Sequence, residues 1–171
     1  MRPDDEVVEH RRRGLPGCEV ATDGGEGDVD DRLWPRHAWP PMRFDAPLGV
    51  GARGGHAFVR YRVVGYELGH RVEFAFDPRI GVDGHHAFVI EPLDDDHCVL
   101  RHEMHADAHG AVALHWTLVI RALHDACVED ALDCAEHAAT GAVARPARWS
   151  VGVRVLRRWV RGRSREEARA A

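Results

Sequence analysis

The alternation of apolar and polar residues between His56 and Leu123 constrains the fold more than any other feature of this sequence. Five segments alternate in this way, with turn signals between them: 57–66, 71–77, 85–91, 98–106 and 111–123. A period of two is typical of strands that bury one face, and short turns between such strands favour antiparallel pairing. The sequence therefore predicts a five-stranded antiparallel meander.

The periodicity changes to that of a helix after this segment. Asp125 is a suitable N-cap, and acidic residues in the next turn suit the positive end of a helix dipole. One apolar stripe follows through Ala139, and Gly141 is a natural stop. A sheet with one apolar face and an amphipathic helix bury both surfaces when the sheet curves around the helix. We therefore expect an α+β fold in which the sheet wraps around a C-terminal helix.

Short phrases along the chain resemble a known superfamily. They are Leu33-Trp34-Pro35, Trp39-Pro40-Pro41-Met42, Gly51 through Gly55, Arg60-Tyr61-Arg62-Val63, Gly84-His85-His86-Ala87-Phe88 and the run from His124 to Asp130. With the order of elements, they make the chain similar to the START-like or SRPBCC superfamily, which includes polyketide cyclase/dehydrase-like proteins and lipid carriers. The phrases are most like those of uncharacterised actinobacterial members.

This resemblance covers roughly Val7 to Thr140 and implies a helix-grip domain over residues 1–141. It also implies a first strand at Val7–Arg12 beside the last strand. In the superfamily two short helices usually follow, but the many glycines of residues 14–31 disfavour a long helix. Single turns at Cys18–Ala21 and Asp28–Leu33 are the most we expect, which leaves open whether this passage forms a helical lid.

Trp34 and Trp39 lie in a passage whose prolines exclude regular structure and fix the backbone. The two indoles are therefore rigid apolar plates, which either seal the core or form one wall of a pocket.

His86 and His102 fall on the apolar face of the predicted sheet. A buried imidazole needs a hydrogen-bond partner, which a ligand, a water or Tyr61 would supply. The two are either core histidines satisfied by the protein or polar anchors of a small-molecule site. The residues predicted to bind such a ligand are Trp34, Trp39, Tyr61, Phe74, Phe88, Met104 and Trp116.

The sequence contains no GxSxG or HExxH motif, so hydrolytic chemistry of those types is excluded. If the cavity is catalytic, His102 and His86 are the candidate acid–base residues, because imidazole titrates near neutral pH. The resemblance then implies a cyclase or dehydrase acting on a polyketide. His124 and Asp125 are adjacent like part of a proton relay, but capping of the helix explains Asp125 better. No cofactor is expected.

Residues 102–109 are rich in metal-ligand side chains, yet strand alternation divides them between two faces. A surface zinc or nickel site from His105, Asp107 and His115 is geometrically conceivable. A solvated polar face is the simpler interpretation, and we predict no metal site.

A net charge of −5 gives no reason to expect nucleic acid or an anionic membrane as partner of the whole chain. Every basic residue is arginine, which indicates a high-GC bacterial genome. The charged N-terminus lacks the apolar segment of a signal peptide, and the four cysteines lack CxxC spacing. We therefore expect a soluble cytoplasmic protein whose partner is a small hydrophobic molecule, polyketide- or lipid-like.

Residues 142–171 carry nine arginines against two glutamates. Val151, Val155 and Trp159 recur at helical spacing, which predicts a basic amphipathic C-terminal extension. Such a helix either docks on the acidic face of the preceding helix or makes weak contact with a membrane surface or another protein. Nucleic acid is a further alternative, although no specific nucleic-acid partner is expected.

Overall fold

The protein is described by a computed structural model over residues 6–16 and 32–158. In this part of the chain seven strands form one antiparallel sheet: β1 (Glu6–Pro16), β2 (Arg43–Phe44), β3 (Arg53–His56), β4 (Val59–Glu67), β5 (Arg71–Phe76), β6 (Val82–Pro92) and β7 (His97–Ala108). Their order across the sheet is β1-β7-β6-β5-β4-β3-β2. The first strand therefore lies beside the last one, as the superfamily resemblance implied.

Four strands of the predicted meander are confirmed as β4 to β7, with the predicted faces inward. Val72, Phe74 and Phe76 of β5 are buried, and so are the alternate residues of β7 from Cys98 to Ala106. Each strand pairs with the next in sequence, because only short turns separate them. The sheet thus presents one continuous apolar face.

Residues 111–123 are helical, so the prediction of a fifth strand there is wrong. Helix α1 (Ala111–His115), a π-helical segment (Trp116–Ile120) and helix α2 (Arg121–Thr140) run on from one another as one long helix over residues 111–140. Val112, Trp116 and Ile120 fit a spacing of four as well as a spacing of two. All three pack against the core of the sheet, and this tertiary packing selects the helix.

Asp125 lies inside the long helix, so its predicted role as an N-cap is wrong. The predicted buried stripe is present and comprises Cys127, Val128, Ala131, Leu132 and Ala135. Gly141 ends the helix in a left-handed conformation, and its N–H donates to the carbonyl of His137 at 2.8 Å. The curved sheet closes around this stripe, which gives the predicted α+β helix-grip architecture.

After the long helix, the chain returns along the acidic face of α2. Three donors of this return segment reach carboxylates there: Ala144 N–H to Glu136 at 2.9 Å, Ala147 N–H to Asp133 at 2.6 Å, and the Trp149 indole to Asp130 at 2.9 Å. Residues 142–158 therefore dock on their own protein, which was one of the alternatives for the tail.

A further helix, α3, covers residues 151–158. The predicted apolar stripe does not face the protein, since Val151 and Val155 are 73% and 57% exposed. Val153 and Arg157 are buried instead. The hydrogen bonds of the segment before α3 determine which face of α3 packs on the protein. The spacing of the apolar residues alone did not reveal this.

The predicted turn at Cys18–Ala21 lies outside the described residues, as does most of Asp28–Leu33 and the tail beyond Arg158. Cys98, Cys127 and Cys134 are free thiols. Within the described ranges, no helix combines the length and the apolar character needed to cross a bilayer.

Candidate functional site

A cavity of about 610 Å³ lies between the sheet and the long helix. The sheet contributes Tyr61, Phe76, His86, Phe88 and His102 to its wall. The long helix contributes Trp116, Ile120, Leu123, His124, Cys127, Val128 and Ala131. The proline-rich passage and the turn between β3 and β4 form the remaining sides. Most of this wall is aromatic or aliphatic, with a few imidazoles as polar groups.

Five of the seven predicted ligand-binding residues line the cavity: Trp34, Trp39, Tyr61, Phe88 and Trp116. Phe74 and Met104 do not line it. Both are buried in the core, where Phe74 stacks on Phe44 with ring centroids 5.8 Å apart. They share the inward face of the sheet with the lining residues, but other core side chains cover them. Both predicted catalytic residues, His86 and His102, line the cavity.

Trp34 and Trp39 are held in place at their polar ends. The Trp34 indole donates to the carbonyl of Pro40 at 2.9 Å, and the Trp39 indole donates to Asp130 at 2.7 Å. Both residues line the cavity, so they form part of its wall.

His86 and His102 are hydrogen-bonded to each other, with Nδ1 of His86 3.2 Å from Nε2 of His102. Burial lowers the pKa of both imidazoles well below the usual value. Both rings are therefore neutral at physiological pH. Among the described residues, neither Nε2 of His86 nor Nδ1 of His102 has a hydrogen-bond partner.

Tyr61 does not bond to this pair, although the sequence analysis offered it as a partner. Its hydroxyl lies 2.9 Å from Nε2 of His56. Burial raises the pKa of Tyr61 and lowers the pKa of His56 to about 4, so this second pair is also neutral. The Tyr61 ring instead packs on His86 with centroids 4.9 Å apart.

His124 is a cavity-lining imidazole that the sequence analysis did not place in the site. Its Nδ1 lies 3.3 Å from Oδ1 of Asp125, and its side chain is 17% exposed. Its ring centroid is 5.2 Å from that of His102 and 6.4 Å from that of His86. Assigning residues 111–123 to a strand had put His124 at the entry of a helix, where capping explained Asp125 better than a proton relay with His124.

His10 of β1 forms an ion-pair cluster behind this imidazole. Its Nδ1 lies 2.8 Å from Glu129, and its Nε2 lies 3.5 Å from Asp125. The carboxylates, Asp125 first, raise the pKa of His10 against the effect of burial. Burial acts to raise the pKa of Asp125, but hydrogen bonds from His10 and His124 hold it well below its usual value. Asp125 is therefore a fixed negative charge next to His124.

Arg157 of α3 also lines the cavity, and the sequence analysis missed it. Its guanidinium carbon lies 3.9 Å from the ring centroid of Trp149 and 4.6 Å from that of Trp39. Such contacts are cation–π interactions, which strengthen where water is excluded. The return segment therefore completes one side of the cavity.

The surface grouping of His105, Asp107 and His115 that was conceivable from the sequence does not form. His115 lies in α1 and not on a strand beside β7, while His105 stacks on His85 at a centroid distance of 5.1 Å. Within the described part of the chain, no three histidine, cysteine or acidic side chains converge as a metal site.

No protein-family model and no curated protein matches the sequence. Several solved structures share its fold. A protein from Thermobifida fusca is 17% identical with a TM-score of 0.57, over 84% of this chain and 99% of that one. CalU16 from Micromonospora echinospora is 15% identical with a TM-score of 0.56, over 90% of this chain and 83% of that one.

A truncated norcoclaurine synthase from Thalictrum flavum is 13% identical with a TM-score of 0.58, over 80% of this chain and 94% of that one. Another structure of that protein, 11% identical with a TM-score of 0.51, contains dopamine and hydroxybenzaldehyde and matches over 78% of this chain and 86% of that one. At these identities the likeness shows the fold alone. The chain has the START-like helix-grip fold.

Proposed function

We propose that this helix-grip domain binds a small hydrophobic or aromatic molecule, polyketide- or lipid-like in character, in the cavity between its sheet and its long helix. The observation that carries this proposal is the composition of the wall, which is mostly apolar, with a few imidazoles and the Arg157 guanidinium as polar groups. Ligand sites typically combine an apolar lining with a small number of polar anchors. The two small aromatic molecules held by norcoclaurine synthase support the same class of ligand.

The size of the cavity supports the proposal. Drug-sized ligands occupy pockets of roughly 300–1,000 Å³, and this cavity of about 610 Å³ falls within that range. Protein interiors are otherwise packed as densely as organic crystals, and unfilled space in a core lowers stability. A hollow of this size is therefore better explained by a ligand than by loose packing.

We also propose that residues 142–158 belong to the ligand-binding unit, with the division after Gly141 marking a change of composition and not a separate module. Arg157 supports this, since it is buried between Trp39 and Trp149 and lines the cavity. The return segment then acts as part of the cavity wall.

Filling the cavity is expected to abolish binding. Ala131 is 2% exposed and lines the cavity from the long helix. The variant Ala131→Phe places a ring in the space the ligand needs, so we expect its affinity for any ligand to fall at least tenfold, or about 1.4 kcal/mol. Native mass spectrometry would identify retained ligands, and thermal shift against polyketides and fatty acids would rank them.

The matched control is Ala138→Phe, which adds the same ring at an exposed position of the same helix. It is expected to bind as the wild type does. A wild-type protein that retains no apolar compound and shows no thermal shift with any of them would contradict the proposed function. Equal affinity in Ala131→Phe would place the ligand elsewhere.

A further inference from the structure

His124 and Asp125 have the arrangement of a general base and the group that orients it. The Asp125 carboxylate is an acceptor for the Nδ1–H of His124 at 3.3 Å. This bond favours the tautomer in which Nε2 of His124 carries no proton and is an acceptor. A neutral imidazole whose second nitrogen is fixed in this way can take a proton from a group bound in front of it. Because His124 lines the cavity, that group belongs to the ligand.

The carboxylate is itself held in place from outside the cavity. His10 lies 3.5 Å from Asp125, and Arg121 lies 3.6 Å from it one helical turn earlier. Both side chains restrict the carboxylate, and His10 also contributes to the lowered pKa of Asp125. An imidazolium formed at His124 would therefore be stabilised by a carboxylate already in position.

The His86–His102 pair offers a hydrogen-bond donor on another wall of the same cavity. Only one proton lies between Nδ1 of His86 and Nε2 of His102, so their two outer nitrogens always comprise one donor and one acceptor. When His102 donates the shared proton, Nε2 of His86 carries the outer N–H. A ligand oxygen near His86 selects this arrangement, since it supplies the partner that Nε2 lacks among the described residues.

We propose that the cavity binds an enolisable carbonyl compound and abstracts the proton α to its carbonyl group, with His124 as base, Asp125 as its positioning residue and His86 as hydrogen-bond donor to the carbonyl oxygen. This inference rests on the proposed ligand-binding function. It assigns a reaction class and a substrate class to the cavity.

The step balances within the site. The Cα–H bond of the ligand breaks, and its proton goes to Nε2 of His124. The electron pair of that bond forms the C=C bond of an enolate, and the π pair of the carbonyl moves to the oxygen, which accepts the hydrogen bond from His86. Return of a proton from His124 to carbon or oxygen gives the ketone or the enol. No oxidant, reductant or further reactant is needed.

The surroundings favour this chemistry over proton loss to water. The ring centroids of Phe88 and His102 are 4.8 Å apart, and those of Phe76 and His86 are 5.2 Å apart. Aromatic side chains therefore pack against both imidazoles. In such an environment a hydrogen bond to a developing negative charge is stronger than in water. The neutrality of the His86–His102 pair also keeps a second positive charge away from the base.

Deuterium exchange into a simple ketone tests the proposal. The probe is 1-tetralone, a neutral bicyclic aromatic ketone whose α-hydrogens exchange slowly in buffer. Incorporation of deuterium in D₂O is followed by NMR, and binding is measured separately by calorimetry. We expect the wild type to accelerate exchange, and His124→Gln to lose about a hundredfold of that acceleration while still binding the probe.

Two further variants separate catalysis from structure. Asp125→Asn is expected to lower the exchange rate at saturating probe about tenfold with little change in affinity, which a purely structural role would not produce. His137→Gln makes the same change as His124→Gln at an exposed position of the same helix and is expected to exchange as the wild type does.

The outcomes distinguish the two proposals. Absence of probe binding to the wild type would count against the cavity as a site for such ligands. Binding without faster exchange, or an unchanged rate in a folded His124→Gln, would overturn the catalytic inference and leave ligand binding in place.

Discussion

Acidification from pH 6.5 to 5 is expected to reduce the free energy of unfolding by up to roughly 3 kcal/mol through two buried imidazoles alone. His86 and His102 stay neutral in the folded protein because burial lowers the pKa of each well below 6.5. In the unfolded chain both take up protons below that pH. Each of these imidazoles lowers the free energy of unfolding by up to about 1.4 kcal/mol for each unit by which the pH falls over this range.

The other perturbed groups do not cancel this loss. The raised pKa of His10 gives a stabilisation that is complete below pH 6.5 and is lost as the pH rises through the folded value. The lowered pKa of Asp125 gives a stabilisation that is lost only below the unfolded value, near 4. His56, with a folded pKa of about 4, acts in the same direction as the buried pair. Stability is therefore expected to be greatest close to pH 6.5–7.

Urea denaturation at half-unit pH steps measures this profile. His86→Phe keeps a ring among its aromatic neighbours but removes one titrating group, so its slope below pH 6.5 should be shallower by up to about 1.4 kcal/mol per pH unit. His137→Gln, at an exposed position, should leave the slope unchanged. A free energy of unfolding that stays flat from pH 6.5 to 5 in the wild type would show that the buried imidazoles accept protons in the folded state.

Replacement of Gly84 by alanine is expected to destabilise the protein by about 3 kcal/mol or more. Gly84 has φ of +129°, and a Cβ atom there would lie 2.1 Å from the carbonyl oxygen of His105. That oxygen belongs to the backbone of β7, so relief requires the two strands to separate. His86 and Met104 face each other two residues along this ladder, so the separation would also disturb the wall of the cavity.

Gly69→Ala is the control for this substitution. Gly69 also has positive φ, at +74°, but a Cβ atom there would meet nothing within 4 Å. Its cost is therefore the left-handed conformation alone, about 1–2 kcal/mol. Thermal and chemical denaturation would compare the two variants. Equal losses of unfolding free energy in the two variants would mean that the close approach of β7 contributes nothing. The backbone conformation alone would then explain the loss at Gly84.

The strands that carry the cavity were predictable because each buries one face between short turns. Val72, Phe74 and Phe76 could point only one way once their strand was assigned, and the stripe of the long helix was equally clear. The error at residues 111–123 arose because periods of two and four coincide at Val112, Trp116 and Ile120. Only packing against the sheet distinguishes a helix from a strand here, and the sequence of one segment does not reveal what that segment packs against.

The chemistry of the site was only half predictable for the same reason. His86 and His102 were identified because a polar ring on an apolar strand face is conspicuous. His124 depends on the correct helix, and His10 depends on a contact 119 residues away along the chain. Arg157 resembles the other arginines of the tail, and only its position between Trp39 and Trp149 distinguishes it.

The π-helical segment at Trp116–Ile120 has a consequence for how this cavity can change. A π-helical turn contains one residue more than an α-helical turn, and here both of its end residues line the cavity. The wider turn absorbs the extra residue, so deleting one residue here would restore regular α-helical geometry while the flanking helices keep the same faces toward the sheet. We therefore expect a one-residue deletion in this segment to change the shape of the cavity beside Trp116 and Ile120 while α1 and α2 keep their packing on the sheet.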